Sequence, residues 1–178
     1  MSRLLPLSGR ARRIGDGLRT DQILAPRDGR ERRDAAHPAA RLPRDVEPMP
    51  AGSLDAGDVL VAGRHFGIGP GAEPRVQALL DAGVRAVVAR SFGSGFLRSA
   101  LNGGLLALTA ATDDIAEGDP ITLADDGESE SLSLRTPRQL IHCDPLAPFA
   151  RALIEAGGLV PYLRAHGSFG PALPGERF

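Results

Sequence analysis

The stretch that decides the fold is HFGIGPGAEPRVQALLDAGVRAVVARSF, from His65 to Phe92. A glycine-rich bend leads through a proline into a segment whose apolar residues recur at helical spacing, and a short apolar run follows. Another apolar run, DVLVAG at 58–63, precedes the bend. The order strand, helix, strand predicts a βαβ unit with two parallel strands, and Gly83 is placed to end the helix in the left-handed conformation.

The segments on either side of this unit predict further strands and a second helix. Residues 4–24, LLPLSGRARRIGDGLRTDQIL, indicate a short hairpin followed by a turn. SGFLRSALNGGLLAL at 94–108 indicates a short helix, a stop at Gly103–Gly104 and another strand. DPITLADDGESESLSLRTPRQLIHCD at 119–144 alternates as short antiparallel strands do, with an acidic turn at Asp125–Glu130.

The last regular segment is LAPFARALIEAGGLVPYLRAH at 146–166. It predicts a helix with Phe149, Leu153 and Ile154 turned inward, a Gly-Gly end and a short tail helix. Strands, a βαβ unit, more strands and then helices, in this order, predict one α/β domain with a mixed sheet and a central βαβ unit.

The length of 178 residues suits a single domain over residues 1–178. Residues 26–53 are charged and rich in proline, with hardly any large apolar side chain, so we expect a flexible loop or a functional flap there. We expect residues 165–178 to form a tail.

Charge and hydropathy exclude two classes of partner. The formal net charge is −1 and every basic side chain is an arginine, so a general affinity for nucleic acid or for a membrane surface has no electrostatic basis. No apolar run approaches the roughly 18 residues that a membrane span needs. The basic opening MSRLLPLSGRARR fits a first strand as well as a transit peptide, and we expect a cytoplasmic protein.

The sequence predicts no metal or cofactor in this chain. Its one cysteine, Cys143, is too few for an iron–sulfur site or a cysteine-rich zinc site. The four histidines are scattered, without an HExxH motif or an i, i+4 pair. IHCD at 141–144 places three ligand types together, but neighbouring residues on a strand point to opposite faces.

The glycine bend admits two interpretations from its residues alone. Gly67, Gly69 and Ala72 fit the dinucleotide pattern G-x-G-x-x-A, although three residues separate the strand from Gly67 and the next strand ends in Arg90 instead of an acid. The other interpretation is a tight strand-to-helix connection that serves packing only. A dinucleotide-binding module is the less favoured of the functions considered.

Four segments in order resemble a known family. They are GDGLRTDQIL at 15–24, GDVLVAGRHFGIG at 57–69, AGVRAVVARSFGSGFLRSALNGGLLAL at 82–108 and LIEAGGLVPYL at 153–163. Together they are similar to the small subunit of 3-isopropylmalate dehydratase and to the swivel domain of aconitase-type hydro-lyases. The resemblance implies a swivelling β/β/α domain and covers most of the chain apart from the 26–53 loop and the 112–145 strands.

The resemblance also implies a partner and a reaction. In this family a separate large subunit carries a [4Fe-4S] cluster, and the small subunit closes over it and helps to bind a small carboxylate substrate. The reaction is loss and re-addition of water on a hydroxy-di- or tricarboxylic acid, and leucine biosynthesis is the usual setting. The lone cysteine here fits that division of labour.

The chain departs from the family at the bend itself. Where the family reads Gly-Ser-Ser-Arg-Glu-His, this sequence reads Gly-Pro-Gly-Ala-Glu-Pro, from Gly69 to Pro74. Both serines, the arginine and the histidine are replaced, and Glu73 is retained. Exposed N–H groups at the start of a helix bind a carboxylate without side chains, so Gly69, Gly71, Ala72 and Glu73 are expected to contribute to a substrate-binding cradle.

Three further residues complete the expected site. Thr20 and Asp21 match the family's Thr-Asp pair beside the active site, which makes Thr20 a substrate-binding residue and Asp21 the catalytic one. Arg75 follows Ala72 by one helical turn and is the candidate substitute for the missing arginine. Because a base that matches the family serine is absent, a non-catalytic paralogue that binds the large subunit or a small anion is the alternative.

Overall fold

The computed structural model describes residues 5–23, 54–125 and 131–167. Seven strands form one sheet in these residues. They are β1 Leu7–Ile14, β2 Val59–Ala62, β3 Ala86–Ala89, β4 Leu106–Thr109, β5 Pro120–Asp125, β6 Leu132–Arg135 and β7 Leu140–His142. Their order across the sheet is β4-β3-β2-β1-β5-β6-β7.

The sheet is mixed, as predicted, with β1 at the change of direction. Strands β4, β3, β2 and β1 are parallel, whereas β5 is antiparallel to β1 and the pairs β5–β6 and β6–β7 are also antiparallel. The carboxyl ends of the four parallel strands therefore meet at one edge. The segments that follow them, which start near residues 15, 63, 90 and 110, lie along that edge.

The hairpin predicted in the first segment is wrong. Residues Leu7–Ile14 form one continuous strand between β2 and β5. Gly9 lies inside this strand and makes room for a neighbour, since a Cβ on it would collide with the carbonyl oxygen of Gly57. A glycine inside a strand often marks such a close backbone approach.

Four α-helices and a short 3-10 turn accompany the sheet. The 3-10 turn covers Thr20–Gln22, and the helices are α1 Ala72–Asp81, α2 Ser94–Gly103, α3 Pro148–Ala156 and α4 Leu159–His166. The βαβ unit is confirmed, since α1 joins the parallel neighbours β2 and β3. Gly83 has a φ of 84°, as expected of a glycine just past a helix end.

The two faces of the sheet support two apolar cores. Val87 and Ala89 of β3 pack with the buried side chains of α1 and α2. The alternate residues Ala86 and Val88 belong to a second core, which also contains side chains of β5, β6 and β7 and Ile154 of α3. Successive strand residues point to opposite faces, so each short parallel strand is buried on both sides.

One predicted core residue of α3 lies at the surface. Leu153 and Ile154 are buried as expected, but Phe149 is 36% exposed. Its ring packs edge-on against Tyr162 of α4, with 5.5 Å between the ring centroids. The helical spacing predicted the helix correctly. The ring of Phe149, however, packs against the next helix instead of the sheet.

Several predictions fall on other parts of the chain. The loop expected at 26–53 and the acidic turn beyond Asp125 lie outside the described residues, and so does the tail expected at 165–178 except for residues 165–167, of which the first two end α4. Among the described helices, none is long and apolar enough to cross a membrane.

Candidate functional site

The bend after β2, residues 63–71, is bound to the segment that follows β1. Both segments leave adjacent parallel strands at the same edge of the sheet. Three backbone hydrogen bonds of 2.7–3.0 Å connect them: from Gly17 N–H to Arg64, from Gly67 N–H to Leu18 and from Thr20 N–H to Ile68. This pairing continues the sheet beyond its regular strands and fixes Thr20 beside the bend.

The segment after β3 holds the bend from its other side. The Ser91 hydroxyl accepts a hydrogen bond from the His65 backbone N–H at 2.9 Å, and the Ser91 carbonyl accepts one from Phe66 at 3.0 Å. Phe66 is fully buried and meets the rings of Phe92 and Phe96 edge-on. Ser91 therefore supports the bend.

The bend needs its glycines for a conformational reason. Gly67, Gly69 and Gly71 have φ angles of 72°, 114° and 73°, in the region that side chains with a Cβ rarely adopt. His65 has a φ of 59°, and histidine is among the few residue types enriched there. The alternation of left-handed and ordinary residues brings the backbone to the surface at Gly69–Gly71, which is exposed.

The start of α1 presents a small set of backbone donors. Gly71 is the N-cap and Ala72 the first helical residue. The N–H groups of Ala72 and Glu73 lack an intrahelical acceptor, as the first donors of any helix do, whereas Pro74 has no N–H to offer. Two helical donors beside a flexible glycine cap are enough for one carboxylate, and the partial positive charge of the helix end favours an anion there.

Thr20 and Asp21 lie next to this bend, as the sequence predicts. The Thr20 hydroxyl donates to the Pro70 carbonyl at 2.5 Å, and Thr20 is only 1% exposed. This contact ties the 3-10 turn to the bend. Asp21 is exposed and accepts a hydrogen bond from Arg19 Nε at 2.9 Å. The Arg19 guanidinium therefore orients this exposed carboxylate.

Arg19, which the sequence reasoning did not single out, also lies beside the bend. A Cβ on Gly69 would lie 3.6 Å from its Nη2, so the guanidinium covers the bend. The Arg19 side chain is 17% exposed. Its position immediately before the Thr-Asp pair was the available signal. Arg75, the residue expected to replace the family arginine, is half-buried on α1, one turn past Ala72.

A row of charged groups continues along the same edge of the sheet. Arg90, just after β3, forms an ion pair with Asp113, and this hydrogen bond raises the pKa of Arg90 and lowers the pKa of Asp113. Asp16 accepts a hydrogen bond from the Arg64 backbone N–H at 2.7 Å. Arginines and aspartates alternate in this row, so it carries little net charge beside the bend.

No metal-binding group is built from the described residues: no cluster of three or more histidine, cysteine or acidic side chains occurs among them. Cys143 is buried, whereas its neighbour His142 is exposed, as expected of adjacent residues on opposite faces. Arg19, Asp21 and the glycine bend thus place a guanidinium, a carboxylate and main-chain N–H groups at one edge of the sheet.

The comparisons with known proteins agree with this architecture. A family model described as the aconitase C-terminal domain matches residues 50–113, which include β2, the bend, α1, β3, α2 and β4. The methanogen homoaconitase small subunit of Methanocaldococcus jannaschii is 34% identical over 158 residues, which cover 89% of this chain and 91% of that protein. The 3-isopropylmalate dehydratase small subunit of Nitratidesulfovibrio vulgaris is 37% identical, over 89% and 94% of the two chains.

A solved structure extends the likeness to three dimensions. The crystal structure of a 3-isopropylmalate dehydratase from Methanocaldococcus jannaschii superposes with a TM-score of 0.71 at 30% sequence identity, over 92% of this chain and 96% of that one. Identity above 30% over nearly the whole length, together with the shared fold, settles the family. The chain belongs to the aconitase-type family of 3-isopropylmalate dehydratase and homoaconitase small subunits.

Proposed function

We propose that this chain is the small subunit of a hydro-lyase or isomerase that acts on a hydroxy-di- or tricarboxylic acid similar to 3-isopropylmalate. The observation that carries the proposal is the glycine bend held by Thr20, the residue before Asp21, at the carboxyl edge of the parallel strands in a chain of this family. Such an edge is where open α/β sheets place their ligands. Leucine biosynthesis, in the cytoplasm, is the expected setting.

The proposal assigns the iron–sulfur cluster to a partner. A [4Fe-4S] cluster is held by cysteine thiolates, and this sequence has a single cysteine, which is buried. The residues present therefore do not fit the cluster, and a large subunit must bring it. We further propose that residues 1–178 form one swivel-type domain that closes over that subunit.

The residues of this chain have distinct roles in the proposed reaction. The backbone of Gly69 and Gly71 and the N–H groups of Ala72 and Glu73 receive a substrate carboxylate. Asp21 takes the proton from the carbon that becomes unsaturated and returns it on rehydration. The buried Thr20 hydroxyl holds the bend in place through the Pro70 carbonyl. Arg75, one helical turn further on, is proposed to reach back toward the same carboxylate.

The deciding experiment is anaerobic co-expression with the large subunit from the same genome, followed by absorbance assays of the unsaturated product from 3-isopropylmalate. We expect turnover that requires both chains. Asp21→Asn should lower kcat by about 10²–10⁴-fold, the usual contribution of a positioned base. Asp81→Asn is the matched control, because Asp81 is exposed at the far end of α1.

A specific observation supports the alternative function. The family's serines and arginine are absent from the bend, so binding without turnover is a coherent second role: a non-catalytic paralogue that binds the large subunit or a small anion. A stable complex that turns over neither 3-isopropylmalate nor homocitrate-type acids would favour this alternative. Unchanged kinetics in Asp21→Asn would remove Asp21 from the mechanism.

A further inference from the structure

The backbone of Arg19 is held in place relative to the bend. Its N–H donates to the Gln22 side-chain oxygen at 2.9 Å, and Arg19 pairs with Ile68 in an isolated parallel bridge. Leu18 before it and Thr20 after it are both hydrogen-bonded to the bend. The starting point of this long side chain is therefore fixed.

The guanidinium of Arg19 is also oriented. Its Nε donates to Asp21 Oδ1 at 2.9 Å, which fixes one side of the planar group. Its other side lies beside Gly69: a Cβ at that position would be at ordinary contact distance, 3.6 Å from Nη2 and 3.9 Å from Cζ.

The outer end of the guanidinium is available. Within the residues that the structure describes, neither Nη1 nor Nη2 of Arg19 makes a hydrogen bond, although the side chain is only 17% exposed. A guanidinium carries five N–H donors, and Nε–H is the one engaged with Asp21, so the Nη groups are available to an acceptor. Two parallel N–H groups at the end of a guanidinium match the two oxygens of a carboxylate.

We propose that Arg19 binds a carboxylate group of the substrate at the bend and thereby takes over the charge that the family's arginine supplies from the position of Ala72. The proposal rests on the proposed function for the identity of the substrate, a hydroxy-dicarboxylic acid. Asp21 engages Nε and leaves both Nη groups for the substrate carboxylate. The same ion pair places the proton-accepting carboxylate next to the group that holds the substrate.

Malate, a hydroxy-dicarboxylate, is the probe of choice because its binding can be measured on the full chain without turnover. Titration of the ¹⁵N-labelled protein should shift the amide signals of Gly69 and Gly71. The apparent Kd should rise about tenfold to a hundredfold in Arg19→Gln, as expected for loss of a charge-assisted bidentate contact. Arg19→Lys keeps the positive charge but loses the two parallel N–H groups, so its Kd should lie between those of the wild type and Arg19→Gln.

Arg85→Gln is the matched control, since Arg85 is exposed and precedes β3 at the opposite edge of the sheet. Thermal unfolding of each variant verifies that the fold is intact. Equal malate affinity in the wild type and Arg19→Gln, including no measurable affinity in either, would overturn the proposal. A complex that lacks turnover while its small subunit binds malate through Arg19 would overturn the proposed function and leave Arg19 as a carboxylate-binding residue.

Discussion

Two glycines of the site are required for different reasons, and the difference lies in their neighbours. A Cβ on Gly67 would lie 2.5–2.7 Å from atoms of the Phe96 side chain, whereas a Cβ on Gly71 would meet nothing within 4 Å. Both have positive φ angles. Gly67 is therefore required by both side-chain packing and backbone conformation, and Gly71 by backbone conformation alone.

Replacement of Gly67 by alanine should be among the most destabilising single changes at the bend. It combines a strained backbone with a collision in the buried phenylalanine cluster, so we expect a loss of about 3 kcal/mol or more in the free energy of unfolding. Urea denaturation of the purified chain measures it. Gly95→Ala, in the first turn of α2 with open space at its Cβ, should be neutral or stabilising. Equal effects of the two changes would contradict the packing argument.

The hydroxyl of Thr20 should matter more for stability than for contact with substrate. Thr20→Val keeps the shape but leaves the Pro70 carbonyl without its donor, at a cost of about 1–3 kcal/mol. Chemical denaturation gives the value, and Thr122→Val, which removes an exposed hydroxyl pair with Ser8, is the control with little expected effect. A Thr20→Val protein as stable as the wild type would show that this hydrogen bond contributes nothing.

At the level of single residues the sequence led to part of the candidate site. Thr20 and Asp21 were predicted because the Thr-Asp pair stands in a recognisable motif. The structure places the Thr20 hydroxyl on the bend, and the roles of both residues stay predictions. Arg19 stands in the same motif but was missed, since its relation to Gly69 depends on a contact between segments that are fifty residues apart. Helical spacing on α1 pointed to Arg75 instead, because spacing identifies only residues that are neighbours within the same helix.

The turn between β4 and β5 is an element whose stability depends on one carboxylate. Asp119 accepts hydrogen bonds from the Ala116 backbone N–H at 2.8 Å and from Arg138 at 2.6 Å. The backbone hydrogen bond, with the help of Arg138, lowers the pKa of Asp119 below its ordinary value of 3.8. The turn delivers β5 to the central strand β1, so the carboxylate supports the antiparallel half of the sheet.

This pKa predicts an acid-dependent loss of stability. A depressed pKa means that the contribution of Asp119 is fully present above about pH 3.8 and disappears as the pH falls through the lower folded-state pKa. Asp119→Asn should therefore lower Tm at neutral pH and flatten the fall of Tm below pH 4. Calorimetry from pH 7 to pH 2.5 measures both, with Asp114→Asn in the same connection as control. Parallel curves for wild type and Asp119→Asn would contradict the assignment.

Among the elements, those with strong local patterns were predicted correctly. The βαβ unit, α2, the antiparallel strands and the α3–α4 pair all follow from apolar periodicity and glycine stops. The hairpin predicted in the first segment was wrong because Leu7–Ile14 is one strand, in which Gly9 allows a close contact with Gly57 from a distant part of the chain. Tertiary packing overrides a local turn signal in such a position.

The whole molecule has two apolar cores that share the same strands. Val87 faces the α1–α2 side and Val88 the other side, where the antiparallel strands and α3 contribute. Since adjacent residues of β3 anchor both cores, we expect the protein to unfold in one cooperative transition.

Val87→Ala and Val88→Ala test this coupling. Each removes two methyl groups from a fully buried site, at a cost of about 2 kcal/mol. Each should shift the same single transition to lower temperature, whether it is followed by circular dichroism or by calorimetry. Two separate transitions, with one variant affecting each, would show that the cores are independent. Arg85→Ala, an exposed change just before the same strand, is the control.

For the whole chain, the sequence predicted the family and the mixed α/β architecture from four ordered segments that together span most of its length. The sequence did not predict the strand order, because β1 lies in the centre of the sheet through pairing with β2 and β5, which are far away in the sequence. Register between distant strands is set by burial on both faces, and a single sequence does not display it.

The glycine bend has a consequence for how such a protein is studied. Its donors are peptide N–H groups of Ala72 and Glu73, so an alanine scan would pass over them: position 72 is already alanine, and Glu73→Ala leaves the amide intact. Replacement of a single amide by an ester, through semisynthesis or suppressor tRNA charged with a hydroxy acid, removes the donor and spares the side chain. A binding site formed by main-chain N–H groups is also little affected by most point mutations, because these change the side chain and leave the peptide bond in place.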